Sequence, residues 1–191
     1  MTRRLIGALF AALLVVATSA SPARADDPAD NPPQLWLTQF ENASSGLCLD
    51  ILVRGDVNGS PAVQDVCPWS LGFQSVTARW PRYFLVIRGV VPKCLEVEGF
   101  STANYASVAQ HDCNGGPHQQ WRYIPSGYGG TSRAAQWLAD AIEIQSVWSG
   151  KCLEVYQYSL SDIAIIDQYD CYKGTNQLWF QEFGEIPVGP H

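Results

Sequence analysis

Apolar and polar residues alternate along this chain in short runs, and no window keeps a helical period. Leu35–Phe40, Tyr83–Ile87 and Ala141–Val147 are apolar-rich and bounded by Gly, Pro, Asn and Ser clusters, as strands joined by turns are. The best helical fragment, Arg133–Ala141, is short. The pattern therefore predicts an all-β chain. One strand is written three times: LCLDI at Leu47–Ile51, KCLEV at Lys93–Val97 and KCLEV again at Lys151–Val155. Alternation puts Leu49/Ile51, Leu95/Val97 and Leu153/Val155 toward a core. It puts Asp50, Glu96 and Glu154 on the face of the cysteines.

The cysteines repeat with the strand. Cys48 and Cys67, Cys94 and Cys113, and Cys152 and Cys171 are each 19 positions apart. Three equal intervals imply three homologous units, each closing its own disulfide, and each bridge is worth roughly 3 kcal/mol in the chain-entropy model. Gln119-Gln120-Trp121 and Gln177-Leu178-Trp179 each end eight residues after their cysteine. The first unit is irregular, with Thr77-Ala78-Arg79-Trp80 in that place. Small β units of this kind bury their apolar faces only by sharing a core. A trefoil suits three copies, because propellers use about four or more blades. The expected architecture is a β-trefoil over 35–185, with repeats at about 35–82, 83–134 and 135–185. Pro125–Arg133 reads as a flexible Gly/Ser insertion.

If each disulfide joins directly opposed residues, Glu154 faces Tyr169, Glu96 faces His111 and Asp50 faces Asp65. A carboxylate beside an aromatic ring suits a pyranose: the ring covers the sugar's C–H face and the carboxylate accepts from hydroxyls. Asn176 and Gln177 add amide groups nearby. Trp80, Trp121 and Trp179 are expected in the core. Glu96 and Glu154 have a plainer reading, as solvated strand residues paired with Lys93 and Lys151. Gln119 and Gln177 have one too, as ties to turn backbone.

The N-terminus sets the compartment. Arg3-Arg4, the apolar run Leu5–Ala17 and Ala23-Arg24-Ala25 read as a secretory signal peptide over 1–25, followed by a disordered acidic, Pro-rich leader at 26–34. A secreted, extracellular protein with six cysteines fits disulfides rather than metal ligands or thiols. Without Arg3, Arg4 and Arg24 the chain carries 9 Lys+Arg against 18 Asp+Glu, a net of −9. That balance argues against nucleic acid, and no later run is long enough for membrane insertion. Asn42-Ala43-Ser44 and Asn58-Gly59-Ser60 match a glycosylation pattern but read as turns. No nucleophile, metal or phosphate motif is present, so neither catalysis nor a cofactor is expected.

The order Cys-Leu-acid-Val, aromatic-x-Cys, Asn-Gln-x-Trp resembles the ricin-type lectin domain, a β-trefoil of three subdomains, over about Leu35 to Phe183. The resemblance implies carbohydrate binding by the acid after the first cysteine, the aromatic before the second and the Asn-Gln pair. Carried over, the third unit supplies Glu154, Tyr169, Asn176 and Gln177. The second supplies Glu96, His111 and Gln119, with His118 in place of Asn. The first keeps only Asp50. Glu stands where the family usually has Asp, which re-aims the carboxylate. The alternative expectation is a trefoil that has lost sugar binding and serves as a protein-interaction or inhibitor module, with Pro125–Arg133 as its contact.

Overall fold

The computed structural model describes residues 35–53, 55–67, 73–79, 82–87 and 92–184. The signal and leader segments and Trp80 lie outside them. Twelve strands occur in order: β1 (Leu35–Asn42), β2 (Cys48–Ile51), β3 (Ser60–Asp65), β4 (Phe73–Arg79), β5 (Arg82–Ile87), β6 (Lys93–Val97), β7 (Ala106–Asp112), β8 (Gln120–Pro125), β9 (Ile142–Ser146), β10 (Cys152–Val155), β11 (Ile166–Tyr169) and β12 (Leu178–Gly184). The one described α-helix, α1 (Arg133–Leu138), falls in the expected fragment and is capped by Ser132.

β1, β4, β5, β8, β9 and β12 pair in a closed antiparallel ring. Closure leaves that ring no free edge. The hairpins β2–β3, β6–β7 and β10–β11 cover one end. There β7 pairs with both β3 and β11, and a Val63–Ile165 bridge completes the triangle. This is the expected β-trefoil. The predicted inward pairs Leu49/Ile51, Leu95/Val97 and Leu153/Val155 all join one core with Trp121 and Trp179. Both indoles are fully buried, and each donates to the carbonyl of its unit's central leucine, Leu95 at 3.0 Å and Leu153 at 3.3 Å.

The three disulfides are those predicted, with Cα–Cα distances of 5.0, 5.0 and 5.1 Å. Their register is not. Cys48 lies opposite Asp65, Cys94 opposite His111 and Cys152 opposite Tyr169. The second cysteine of each pair sits two residues beyond the opposed position, where the chain has left the ladder. Consequently Glu154 faces Asp167, Glu96 faces Ala109 and Asp50 faces Val63. A shift of two preserves the face, so Tyr169 and His111 stay on the acid's side as diagonal neighbours.

Three fully buried glutamines bind the units to one another. Gln64 donates to the carbonyls of Ser159 and Ser161, Gln110 to those of Val53, Gly55 and Val57, and Gln168 to those of Ser101 and Ala103. Each clamps the loop after the second strand of a neighbouring unit, in a closed cycle. Gln168→Leu leaves two loop carbonyls and the Ser149 hydroxyl without this partner. An orphaned buried group costs about 1–3 kcal/mol, and these three are part-buried and sit at the low end, so urea unfolding is expected to report a loss of about 3 kcal/mol.

Candidate functional site

The resemblance implied an acid, an aromatic and an Asn-Gln pair in the third unit, a partial set in the second and only the acid in the first, and the third unit brings its set together. Glu154 stands on β10 with its side chain off the core. Its Oε2 accepts from Gln177 Nε2 at 3.0 Å, Tyr172 Oη at 3.2 Å and Asn176 Nδ2 at 3.4 Å. Gln177 also donates to the Asp170 carbonyl, and its own oxygen accepts from Tyr172 N–H. Gln119 repeats this in the second unit, donating to Glu96 Oε2 at 2.8 Å and to the Asp112 carbonyl while accepting from Asn114 N–H. Both glutamines are fully buried. They position the acid and shape the turn after the cysteine, which is the plainer reading the sequence allowed. Asn176 is equally enclosed, donating to the Val155 carbonyl at 3.1 Å and accepting from Tyr172 Oη at 2.9 Å.

The acids are not lysine-paired surface groups. Glu154 is 3% exposed and Glu96 7%. Lys151 bonds Asp170 and Lys93 bonds Asp112, each at 2.6 Å. Those lysines hold Asp170 and Asp112 below the usual carboxylate range by hydrogen bonding. Burial instead raises Glu154, against the opposing effect of its three donors.

Five tyrosines form a chain of contacts that reaches Glu154 through the Tyr172 hydroxyl. Tyr169 is the one the sequence named. Tyr105 lies 4.8 Å from it, ring centre to ring centre, Tyr156 packs edge-on to Tyr105, and Tyr172 packs edge-on to Tyr169. The neighbouring Tyr169 hydroxyl raises the Tyr105 pKa, and burial raises that of Tyr172 well above the phenol range. Gly174 permits this closure, since a Cβ there would collide with Tyr172, Tyr158 and Asn176. Tyr105 and Tyr158 hold φ of 63° and 56°, the left-handed region that bulky residues rarely enter and that clusters at functional sites.

Tyr105 belongs to the second unit and reaches the third through the β7–β11 pairing, where its N–H donates to the Gln168 carbonyl at 2.8 Å. Gly59 and Ile163 hold the matching positions, each eight residues before its unit's second cysteine. The second site is reached by Trp148 of the third unit, whose indole packs on Phe100 and donates to its carbonyl, whereas at this position the third site alone of the three receives an aromatic. That cue was present in the sequence but useless without knowing which units touch. Asp167 was also missed. It lies opposite Glu154, where the other units have Val63 and Ala109. An acid at a position otherwise apolar was the available signal.

The second unit is built differently. His118 fills the place of Asn176, its Nε2 lies 3.3 Å from Glu96, and the Phe100 ring packs on it at 3.8 Å. His111 leans toward Glu98, at 3.3 Å, with Glu96 farther at 3.7 Å. In the first unit Asp50 shares a face with Asp65, which stands where the third unit has Tyr169, and Thr77 and Ala78 lie in β4. The Pro125–Arg133 segment is less free than its composition implies: Ser126 is buried and bonds the Leu138 carbonyl, and Tyr128 Oη donates to the Lys173 carbonyl at 3.0 Å. Asn42 Nδ2 is committed to the Asn176 and Leu178 carbonyls, as a turn residue would be.

The ricin-type β-trefoil lectin domain family matches residues 36–179. The chain belongs to that family. The fold is also similar to that of a designed threefold-symmetric protein, ThreeFoil, at 29% identity and a TM-score of 0.65, over 75% of this chain and 96% of that one. An exo-β-1,3-galactanase from Clostridium thermocellum is 25% identical at a TM-score of 0.65, over 80% of this chain and 31% of the enzyme. An agglutinin from Abrus precatorius shares the fold at 18% identity and a TM-score of 0.57, over 79% of this chain and 49% of that one. Carbohydrate binding in general follows from membership of the lectin family.

Asp167 gives this lectin domain a measurable pH signature. Burial, and then the facing Glu154, push its pKa from 3.8 to about 7. The folded-state value is raised, so the fold disfavours the ionised form. The penalty is absent below the unfolded pKa and is fully present above about pH 7, at about 4 kcal/mol. Asp167→Asn cannot ionise. Its unfolding free energy relative to wild type is therefore expected to rise by about 4 kcal/mol from about pH 4 to about pH 8. Urea titrations across that range test this, and parallel pH curves contradict it.

Proposed function

We propose that the domain over about 35–185 is a secreted, non-catalytic glycan-binding module whose principal site is in the third unit. One observation carries this reading: Glu154, Asn176 and Gln177 meet under a tyrosine cluster that includes Tyr169 and is completed by Tyr105 from the adjacent unit. Tyrosine rings supply stacking faces for a pyranose, and the fixed carboxylate supplies hydroxyl acceptance. The second site, with Glu96, His111 and Gln119, is secondary, because His118 and Phe100 occupy the space beside its acid. Asp50 contributes least, because Asp65 stands in the first unit where the third has Tyr169.

A hexose of about a dozen heavy atoms at about −0.3 kcal/mol per atom gives roughly −4 kcal/mol, a Kd on the order of millimolar. Polymeric glycans are therefore the suitable ligands. A glycan array followed by titration of the best ligand tests the proposal. Tyr169→Ala is expected to weaken binding at least tenfold, about 1.4 kcal/mol or more. Deleting 127–131 is expected to leave affinity unchanged. If wild type and Tyr169→Ala bind every glycan equally poorly, the site is not a lectin site. If the loop deletion alone abolishes capture of a protein partner, the interaction-module reading takes its place.

A further inference from the structure

Glu154 and Asp167 face one another across β10 and β11, and both are almost fully buried, at 3% and 4% exposure. Glu154 meets only neutral donors, from Tyr172, Asn176 and Gln177. Asp167 Oδ1 has no hydrogen-bond partner at all. Among the described residues no Lys or Arg pairs with either acid, for Lys151 is held by Asp170. The matching positions in the other units, Val63 and Ala109, show that the fold does not need an acid there. Two buried carboxyls without a cation are costly, and one responds by holding its proton to about 7.

Tyrosines adjoin this pair: the Tyr172 hydroxyl bonds Glu154, and Tyr169 lies two residues from Asp167 on the same face of β11. Phenol rings present a negative face, and rings of this kind attract organic cations. An ammonium group brings donors and a positive charge to the two acids together. A neutral hydroxyl can engage Glu154 but leaves Asp167 uncompensated. Calcium seeks about six to eight oxygens, more than two carboxylates among amides and phenols provide.

We propose that the third site takes an amino sugar with its nitrogen unacetylated, its ammonium lying between Glu154 and Asp167 and its ring against Tyr169. This rests on the glycan-binding reading and adds the ligand class. Asp167 becomes the residue that selects the amine, and Glu154 serves any sugar.

Calorimetric titration of the whole protein at neutral pH compares three short β-1,4-linked oligomers of equal length: glucosamine, N-acetylglucosamine and glucose. Wild type is expected to bind the glucosamine oligomer at least tenfold more tightly than the other two. Asp167→Asn is expected to lose that preference while keeping its affinity for the neutral oligomers. If the variant does not fold, the wild-type comparison can still overturn the inference, and loss of the amine preference at high salt overturns it too, because screening removes attraction to surface charge but not to a buried pair. Neutral oligomers binding as well as the amine overturn this inference and leave the glycan-binding reading standing. An amine preference that survives in folded Asp167→Asn also overturns it, because an acidic protein attracts polycations without any site. No binding of any of the three overturns this inference, and a blank glycan array then removes the broader reading.

Discussion

A polar side chain buried in a core must find hydrogen-bond partners, and here three buried glutamines find theirs in loop carbonyls across unit boundaries. Gln64, Gln110 and Gln168 each reach into a neighbour's loop. Each main-chain carbonyl of these residues also accepts an N–H from the same neighbour, from Ile163, Gly59 and Tyr105 respectively. The cycle closes the end of the barrel and fixes how the hairpins meet. Since an unpaired buried amide or carbonyl is worth more than a typical hydrogen bond, the units are locked as a set. The locking decides what each site receives from next door.

The same frame then carries unequal sites. Gln119 and Gln177 hold their acids by identical bonds, and Trp121 and Trp179 seal the core beneath them. Above that floor the copies part. The second unit packs Phe100 on His118; the third places Tyr158 and Tyr172 over Asn176. The floor is common to the two units because it satisfies buried polar groups. The upper layer is exposed, so it can change without cost to the core.

Burial separates the two kinds of acid in this molecule. Asp112 and Asp170 lie at the surface, bonded to lysines, and are held in their charged form. Glu154 and Asp167 lie beneath aromatic rings and are pushed toward neutrality. A domain rich in acid thus sets two nearly dehydrated carboxyls side by side in the third unit.

The sequence alone determined the strands, their inward faces, the three disulfides and the threefold plan. Those properties are local or covalent: alternation has period two, and a fixed cysteine interval repeats with each copy. It also named Glu154, Tyr169 and Asn176 through motif spacing. Only the tertiary structure decided the strand register, because a disulfide spans either directly opposed or offset positions at similar distance. Only the tertiary structure brought Tyr105 to Tyr169 and set Asp167 against Glu154. Both depend on which residues oppose across strands and units, and a one-dimensional pattern carries no record of that pairing.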